Sequence, residues 1–224
     1  MSLKNKSLFL TVLLSTTLAF ADLLADKVTE RMENSTAVFK ELLAAPDQEV
    51  PSSLLKKCRG IVIIPGLKEG AFIVGGQHGR GVVSCRSGSG KWSPPGFLTL
   101  SGGSLGFQIG VQSTDLVLFI MSERGVKSLL KSKFTLGVDA SIAAGPVGRK
   151  AAAGVDIKLD ADIYAYARTK GLFAGVNVDG SSIREDTEAV KSFYGRKLKA
   201  SDILFKQKVP QLPSAAIEFI KVLP

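Results

Sequence analysis

The sequence predicts an α+β fold: a curved antiparallel sheet or partial β-barrel, flanked by helices at the N- and C-terminal ends. Residues 22–45 carry apolar side chains at helical spacing, and from residue 60 apolar runs and two-residue alternation take over. From Glu185 onward the pattern returns to helices, broken at Gly195, Pro210 and Pro213. Curvature is expected because Gly106, Gly110, Gly137 and Ser141 fall on the non-core side of their strands. Strands without side chains on one face bend easily and admit a neighbouring backbone.

Taken in order, the chain opens with Lys4 and Lys6, an apolar run from Leu8 to Phe20, and Ala19-Phe20-Ala21 ahead of Asp22. Small residues at the two positions a signal peptidase reads predict cleavage after residue 21. The run is shorter than the ~20 apolar residues of a spanning helix; the alternatives are an uncleaved anchor or a plain buried helix. Residues 22–224 then form one domain, and the protein is expected to be periplasmic or otherwise exported.

Within that domain, Leu24, Val28, Met32, Phe39 and Leu42/Leu43 define the apolar stripe of a first helix, which Pro46 stops. Its polar face mixes both charge signs, so packing on the domain fits it better than lying on an anionic membrane. Ser52-Ser53 can cap a short second helix through Lys57. Ile61–Ile64 reads as a buried strand ended by a Pro65-Gly66 turn, followed by strands at 70–76 and 80–85 around a Gly75–Gly79 loop. Lys91–Pro95 is a connector, residues 105–111 alternate, and Leu116–Met121 is another buried run. Ser122 can cap a helix through Lys131. Alternation at 134–142 and 155–167 and a run at 172–178, closed by Asp179-Gly180, complete the strands.

Charge narrows the partners. Cleavage would remove two lysines and no acids, lowering the formal charge from +9 to +7. A basic exported protein meets anionic phospholipid or another acidic envelope polymer rather than nucleic acid. Lys127 and Lys131 share a helix face, and with Lys133 they form the leading candidate contact for a headgroup, beside Leu129 or Leu130. Arg149-Lys150, in a glycine-rich turn, and Arg168-Lys170 are further candidates, with Arg196-Lys197-Lys199 behind them. Each of these also serves as ordinary solubilising charge.

Chemistry beyond binding finds little support. Gly102-Gly103-Ser104-Leu105-Gly106 matches the spacing of a serine nucleophile elbow, but the single histidine, His78, lies upstream where the mechanism needs it downstream. Residues 145–150 lack the Gly-Lys-Ser/Thr ending of a phosphate loop. One histidine and two cysteines argue against a dedicated zinc site, and no cofactor is expected. Cys58 and Cys85 invite a disulfide in an oxidising compartment. A simple three-stranded meander over 61–86, however, separates them by roughly 15–20 Å, beyond the ~7 Å Cα reach of a disulfide.

Eight segments in chain order carry a family resemblance: I-V-I-I-P-G at 61–66, A-F-I-V-G-G at 71–76, G-V-V-S-C-R at 81–86, W-S-P-P at 92–95, G-G-S-L-G-F-Q-I-G at 102–110, D-L-V-L at 115–118, A-A-G-P-V-G-R at 143–149 and G-L-F-A-G-V at 171–176. Together they resemble the SYLF-domain family, from about residue 30 to 195. The resemblance implies lipid binding. Eukaryotic relatives join this domain to Src-homology or phosphoinositide-binding modules, and those of yeast act on actin. Bacterial relatives are typically stand-alone exported proteins, which this chain looks like. The expectation is a non-enzymatic, peripheral binder of anionic phospholipid in the bacterial envelope. The rival expectation is an envelope scaffolding module with a protein partner.

Overall fold

The computed structural model describes residues 3–45, 50–70, 76–103, 111–129, 131, 133–146, 160–169, 172–176 and 178–224. A long first helix, α1 (Leu3–Ala44), is followed by the short α2 (Ser52–Lys57). Helix α1 begins well before residue 22, because no glycine or proline interrupts the chain before Pro46. Its side chains are described from Leu23 onward. Val28, Met32, Phe39 and Leu42 are fully buried along the expected stripe, whereas Leu43 is exposed. Ser35 and Thr36 are buried too; their hydroxyls donate to the carbonyls of Arg31 and Met32 one turn back, at 2.8 and 2.9 Å. Pro51, not a serine hydroxyl, occupies the N-cap of α2.

Four long strands follow: β1 (Gly60–Gly70), β2 (Gly76–Cys85), β3 (Gly96–Gly103) and β4 (Val111–Ile120). After α3 (Glu123–Ser128) come β5 (Phe134–Thr135), β6 (Ile142–Ala144), β7 (Ile163–Thr169), β8 (Leu172–Gly175) and β9 (Ser182–Glu185). Helices α4 (Thr187–Tyr194), α5 (Ala200–Leu204) and α6 (Ser214–Val222) close the chain. The strands form one strongly curled sheet in the order β5-β9-β3-β2-β1-β4-β7-β6, with β8 also paired to β7. Pairing is antiparallel except between β6 and β7, so the sheet is a mixed half-barrel and not purely antiparallel. Its middle is dry on both faces: Ile61–Ile64 and Leu116–Phe119 have no exposed surface, as the unbroken apolar runs require. Phe119 makes ring contacts with Phe39 of α1 and with Tyr166 of β7.

Several local expectations are corrected. Strand β1 does not stop at Pro65-Gly66. Against β4, Ile64 pairs with Leu116 and Leu67 with Thr114, so two residues of β1 oppose Asp115 alone. This is a β-bulge, suited to a proline without an N–H and a glycine at φ +59°. The expected Gly75–Gly79 loop is strand from Gly76 onward. Residues 134–142 do not form one strand. Gly137 adopts φ +79°, and the Asp139 carboxylate accepts from the Thr135 N–H at 2.8 Å, making a turn. Strand β9 follows the Asp179-Gly180 turn, where the sequence pattern assigns no further strand.

The cysteine geometry also changes. Strands β1 and β2 form a two-stranded hairpin in which Cys85 pairs with Gly60, two residues from Cys58. The separation expected of a three-stranded meander therefore does not arise. Both thiols are nonetheless free and buried. Burial raises the Cys58 thiol to about 11 and Cys85 to about 12, which disfavours the thiolate needed for exchange.

Candidate functional site

Two basic regions stand out, built on different elements. The first rests on α3. The Ser122 hydroxyl accepts from the Gly125 N–H at 2.9 Å, the N-cap the sequence called for. That hydroxyl also donates to Asp162, whose other oxygen accepts from the Ser141 N–H and hydroxyl at 3.0 and 2.9 Å. The Ser122 bond, foremost, holds the Asp162 carboxyl below the usual carboxylate range. One carboxylate thus fastens the start of α3 to β6 and β7.

Arg124 and Lys127 project from α3, and Lys131 lies just beyond it. They line a shallow depression of about 460 Å³ together with Val138 and Asp139. Lys127 faces Glu123 at 3.5 Å with both side chains about three-quarters exposed, a pairing that holds the lysine weakly. Lys131 contacts Asp139 at 2.5 Å, and this bond is the largest influence lowering the Asp139 carboxyl. Lys133 is exposed nearby in sequence. Val138 is 75% exposed at the tip of the turn. Among the described residues it is the apolar member of this patch. Leu129, which the sequence suggested for that place, packs against the core, and Leu130 lies outside the described residues. Val138 was missed because period-two alternation assigned it to a strand; the Gly137-Val138-Asp139 turn signal was the available clue.

The second region is a groove of about 770 Å³ between α1 and the β1–β2 hairpin. The bulge forms its floor. The Gly66 N–H donates to Asp115 at 2.9 Å, and Asp115 also binds Arg168, its cross-strand partner, at 2.7 Å. Arg168 further pairs with Glu41 of α1 and lies 5.3 Å over the Phe173 ring. Arg168, which the sequence offers as a headgroup contact, is therefore already engaged in internal contacts. Glycines in β2 let the bulge close. A Cβ on Gly79 would fall 2.5 Å from Ile64 Cγ2, and one on Gly81 would fall 2.2 Å from the Ile63 carbonyl oxygen.

The groove's strand wall carries Lys68, His78 and Arg80, all exposed, and its helix wall carries Lys27, Glu30 and Arg31. Arg31 is drawn aside: it bonds Asp186 at 2.9 Å and sits 5.7 Å over Phe97. Asp186 is also the N-cap of α4, so this pair joins the two helices. Neither Arg31 nor His78 was singled out as a site by the sequence pattern. Arg149, Lys150 and Lys170 lie outside the described residues, as does Ser104. Among the described residues, no group of three or more potential metal ligands comes together, and no helix is long and apolar enough to cross a membrane.

Residues 101–224 match the family described as "Ysc84: Las17-binding protein actin regulator". The chain is also 35% identical over 179 residues to the "SH3 domain-containing YSC84-like protein 1" of Rattus norvegicus, covering 80% of this chain and 52% of that protein. This chain belongs to the Ysc84 (SYLF-domain) family. The human protein of the same name is 36% identical over 161 residues, covering 71% of this chain and 47% of its own length. "Protein YSC84" of Saccharomyces cerevisiae is 38% identical over 180 residues, covering 79% and 38% respectively. The chain thus spans about half, or less, of the curated relatives it matches. The family's description names protein binding and actin regulation, and the Ysc84 likeness takes in β4, α3 and the C-terminal helices together.

Proposed function

We propose that this Ysc84-family domain is a non-enzymatic module that binds anionic phospholipid surfaces peripherally, as an exported protein of the bacterial envelope. The observation that carries the reading is Val138, an apolar side chain left in solvent beside Arg124, Lys127 and Lys131. An apolar tip amid cations suits the headgroup boundary: the cations draw the domain in, and the tip enters the edge of the hydrocarbon. Each cation contributes up to ~1 kcal/mol near an anionic surface, so only several acting together hold the protein there. The test is flotation of the full chain with vesicles of phosphatidylglycerol and, separately, of phosphatidylcholine. Binding is expected to the first alone, and to vanish in about 1 M salt, where the screening length is near 3 Å. Equal behaviour toward both lipids would remove the reading.

A second reading is a protein-interaction module, favoured by the description of the family as Las17-binding and by the yeast "LAS seventeen-binding protein 3", 38% identical over 180 residues. It predicts capture of a protein partner that survives removal of lipid by detergent and depends on residues outside the α3 patch.

A further inference from the structure

We propose that the groove between α1 and the β1–β2 hairpin is a binding site for a phosphoryl group, separate from the α3 patch. The strand register supplies the argument. Ser113, Lys68, His78, Ser101 and Ser182 are successive cross-strand partners on β4, β1, β2, β3 and β9. Cross-strand partners project from the same face, so these five side chains form one polar row. Two residues further along β2, Arg80, Thr99 and Arg184 make a parallel row. Neither row contains a carboxylate. Adjacent strands lie about 4.8 Å apart, so Lys68, His78 and Arg80 can reach one tetrahedral anion from two strands.

The face these rows occupy is that of α1. The next cross-strand pair is Val82 with Phe97, and Phe97 lies beneath Arg31 of the helix. Here the helix and sheet part, leaving the groove, and Lys27 enters from the helix side. The acids around it are largely engaged: Asp115 and Glu41 by Arg168, and Asp186 by Arg31. Among the described residues, Glu30 is the one lining acid with no ion pair within 4 Å of its carboxylate. Lys27, Lys68 and Arg80 likewise form no ion pair with the described residues, which leaves a cationic surplus facing the opening. His78 Nδ1 lies 3.1 Å from the Ser101 hydroxyl, a contact that steadies the ring at the centre of the row. Lysines and an arginine fork beside hydroxyl donors are the side chains that recognise phosphate oxygens.

The same chemistry is offered by a soluble phosphorylated compound and by a phosphomonoester lipid headgroup. Calorimetric titration of the full chain with tripolyphosphate tests it, comparing the wild type with Lys68→Gln/Arg80→Gln and with Lys127→Gln/Lys131→Gln. Saturable binding is expected, weakened about tenfold or more by the groove pair and little changed by the α3 pair. Absence of saturable binding, or equal weakening by both pairs, would overturn the site, the latter by showing diffuse charge attraction. Matching thermal midpoints among the three proteins exclude misfolding; should the groove pair melt early, Lys27→Gln, an exposed residue of α1 at the groove's helix wall, takes its place. Flotation on phosphatidic acid vesicles with tripolyphosphate in competition assigns the source. Displacement points to the headgroup, and undiminished flotation through the α3 patch points to the soluble compound. Failure of the groove leaves phosphatidylglycerol flotation intact, so the two proposals fall separately.

Discussion

The α3 patch and the groove draw on the same side-chain chemistry and display it differently. At α3, arginine and lysines stand around an exposed valine on a helix and a turn tip, with little that limits what approaches them. In the groove, cations sit on paired strands whose register fixes their spacing, above a floor of buried or half-buried ion pairs. A laterally open, partly apolar patch suits an extended surface such as a bilayer. A recessed row of donors suits one compact anion. Net charge alone does not distinguish these uses; the rigidity of the backbone beneath the charge does.

The most damaging way to break the comparison is Gly81→Ala. The new methyl would meet the Ile63 carbonyl oxygen at 2.2 Å, and a backbone atom in a paired strand cannot step aside. A loss of about 3 kcal/mol or more in denaturant unfolding is expected. The same change at Gly88, where an added methyl meets nothing within 4 Å, should cost little. A mild effect at Gly81 would mean that the bulge does not hold the groove wall as described.

Arg168→Met comes next. It leaves Asp115 and Glu41 without their shared cation while conserving the stem over Phe173. These side chains retain some contact with water, so the cost is set at roughly 1–3 kcal/mol, below that of breaking a fully buried pair. Tripolyphosphate binding should change as well, since two freed carboxylates would enter the groove. Thermal unfolding and titration of the one variant read both consequences.

These two sites also show what a sequence can and cannot convey. Helix α2, the Ser122 cap and the breaks at Gly195 and before α6 are local features, and residues 52–57, 122 and 195 announce them directly. The alternation at 163–167 correctly marks a strand, but all five residues are buried, because β7 has neighbours on both faces. Pro65-Gly66 reads locally as a turn. Only Asp115, 49 residues away, makes it a bulge by accepting the Gly66 N–H. Lys68 and Arg80 likewise become neighbours through pairing that no local pattern encodes. At Val138 the reason is different: the alternation runs on through Gly137, whose φ of +79° turns the chain out of the strand.

The α3 patch is sharpened by Asp162→Asn. Asp162 has a folded-state carboxyl depressed below its ordinary value, chiefly by the Ser122 bond. Its stabilising contribution is therefore present above the unfolded value of about 3.9 and is lost as pH falls through the depressed folded value. The wild type should lose this contribution in acid. The asparagine variant should start roughly 1 kcal/mol less stable at neutral pH and show a shallower decline below about pH 4. Chemical denaturation at pH 7 and pH 3 provides the comparison. Parallel declines would show that the carboxylate does not fasten α3 through its charge.

Val138→Asp should have the smallest effect on folding and the clearest on function. The side chain is 75% exposed and rests on no core, so stability should stay within about 0.5 kcal/mol of wild type. Phosphatidylglycerol flotation should fall sharply, because the variant replaces the apolar tip and adds repulsion toward the anionic surface. Val138→Ser separates those effects: it removes the apolar contact without adding charge, and flotation should land between the other two. Tripolyphosphate binding should be unaltered in both variants, since Val138 is no part of the groove. If the serine variant floated as well as wild type, the valine would have no share in membrane contact, and the patch would act by charge alone, as the groove does.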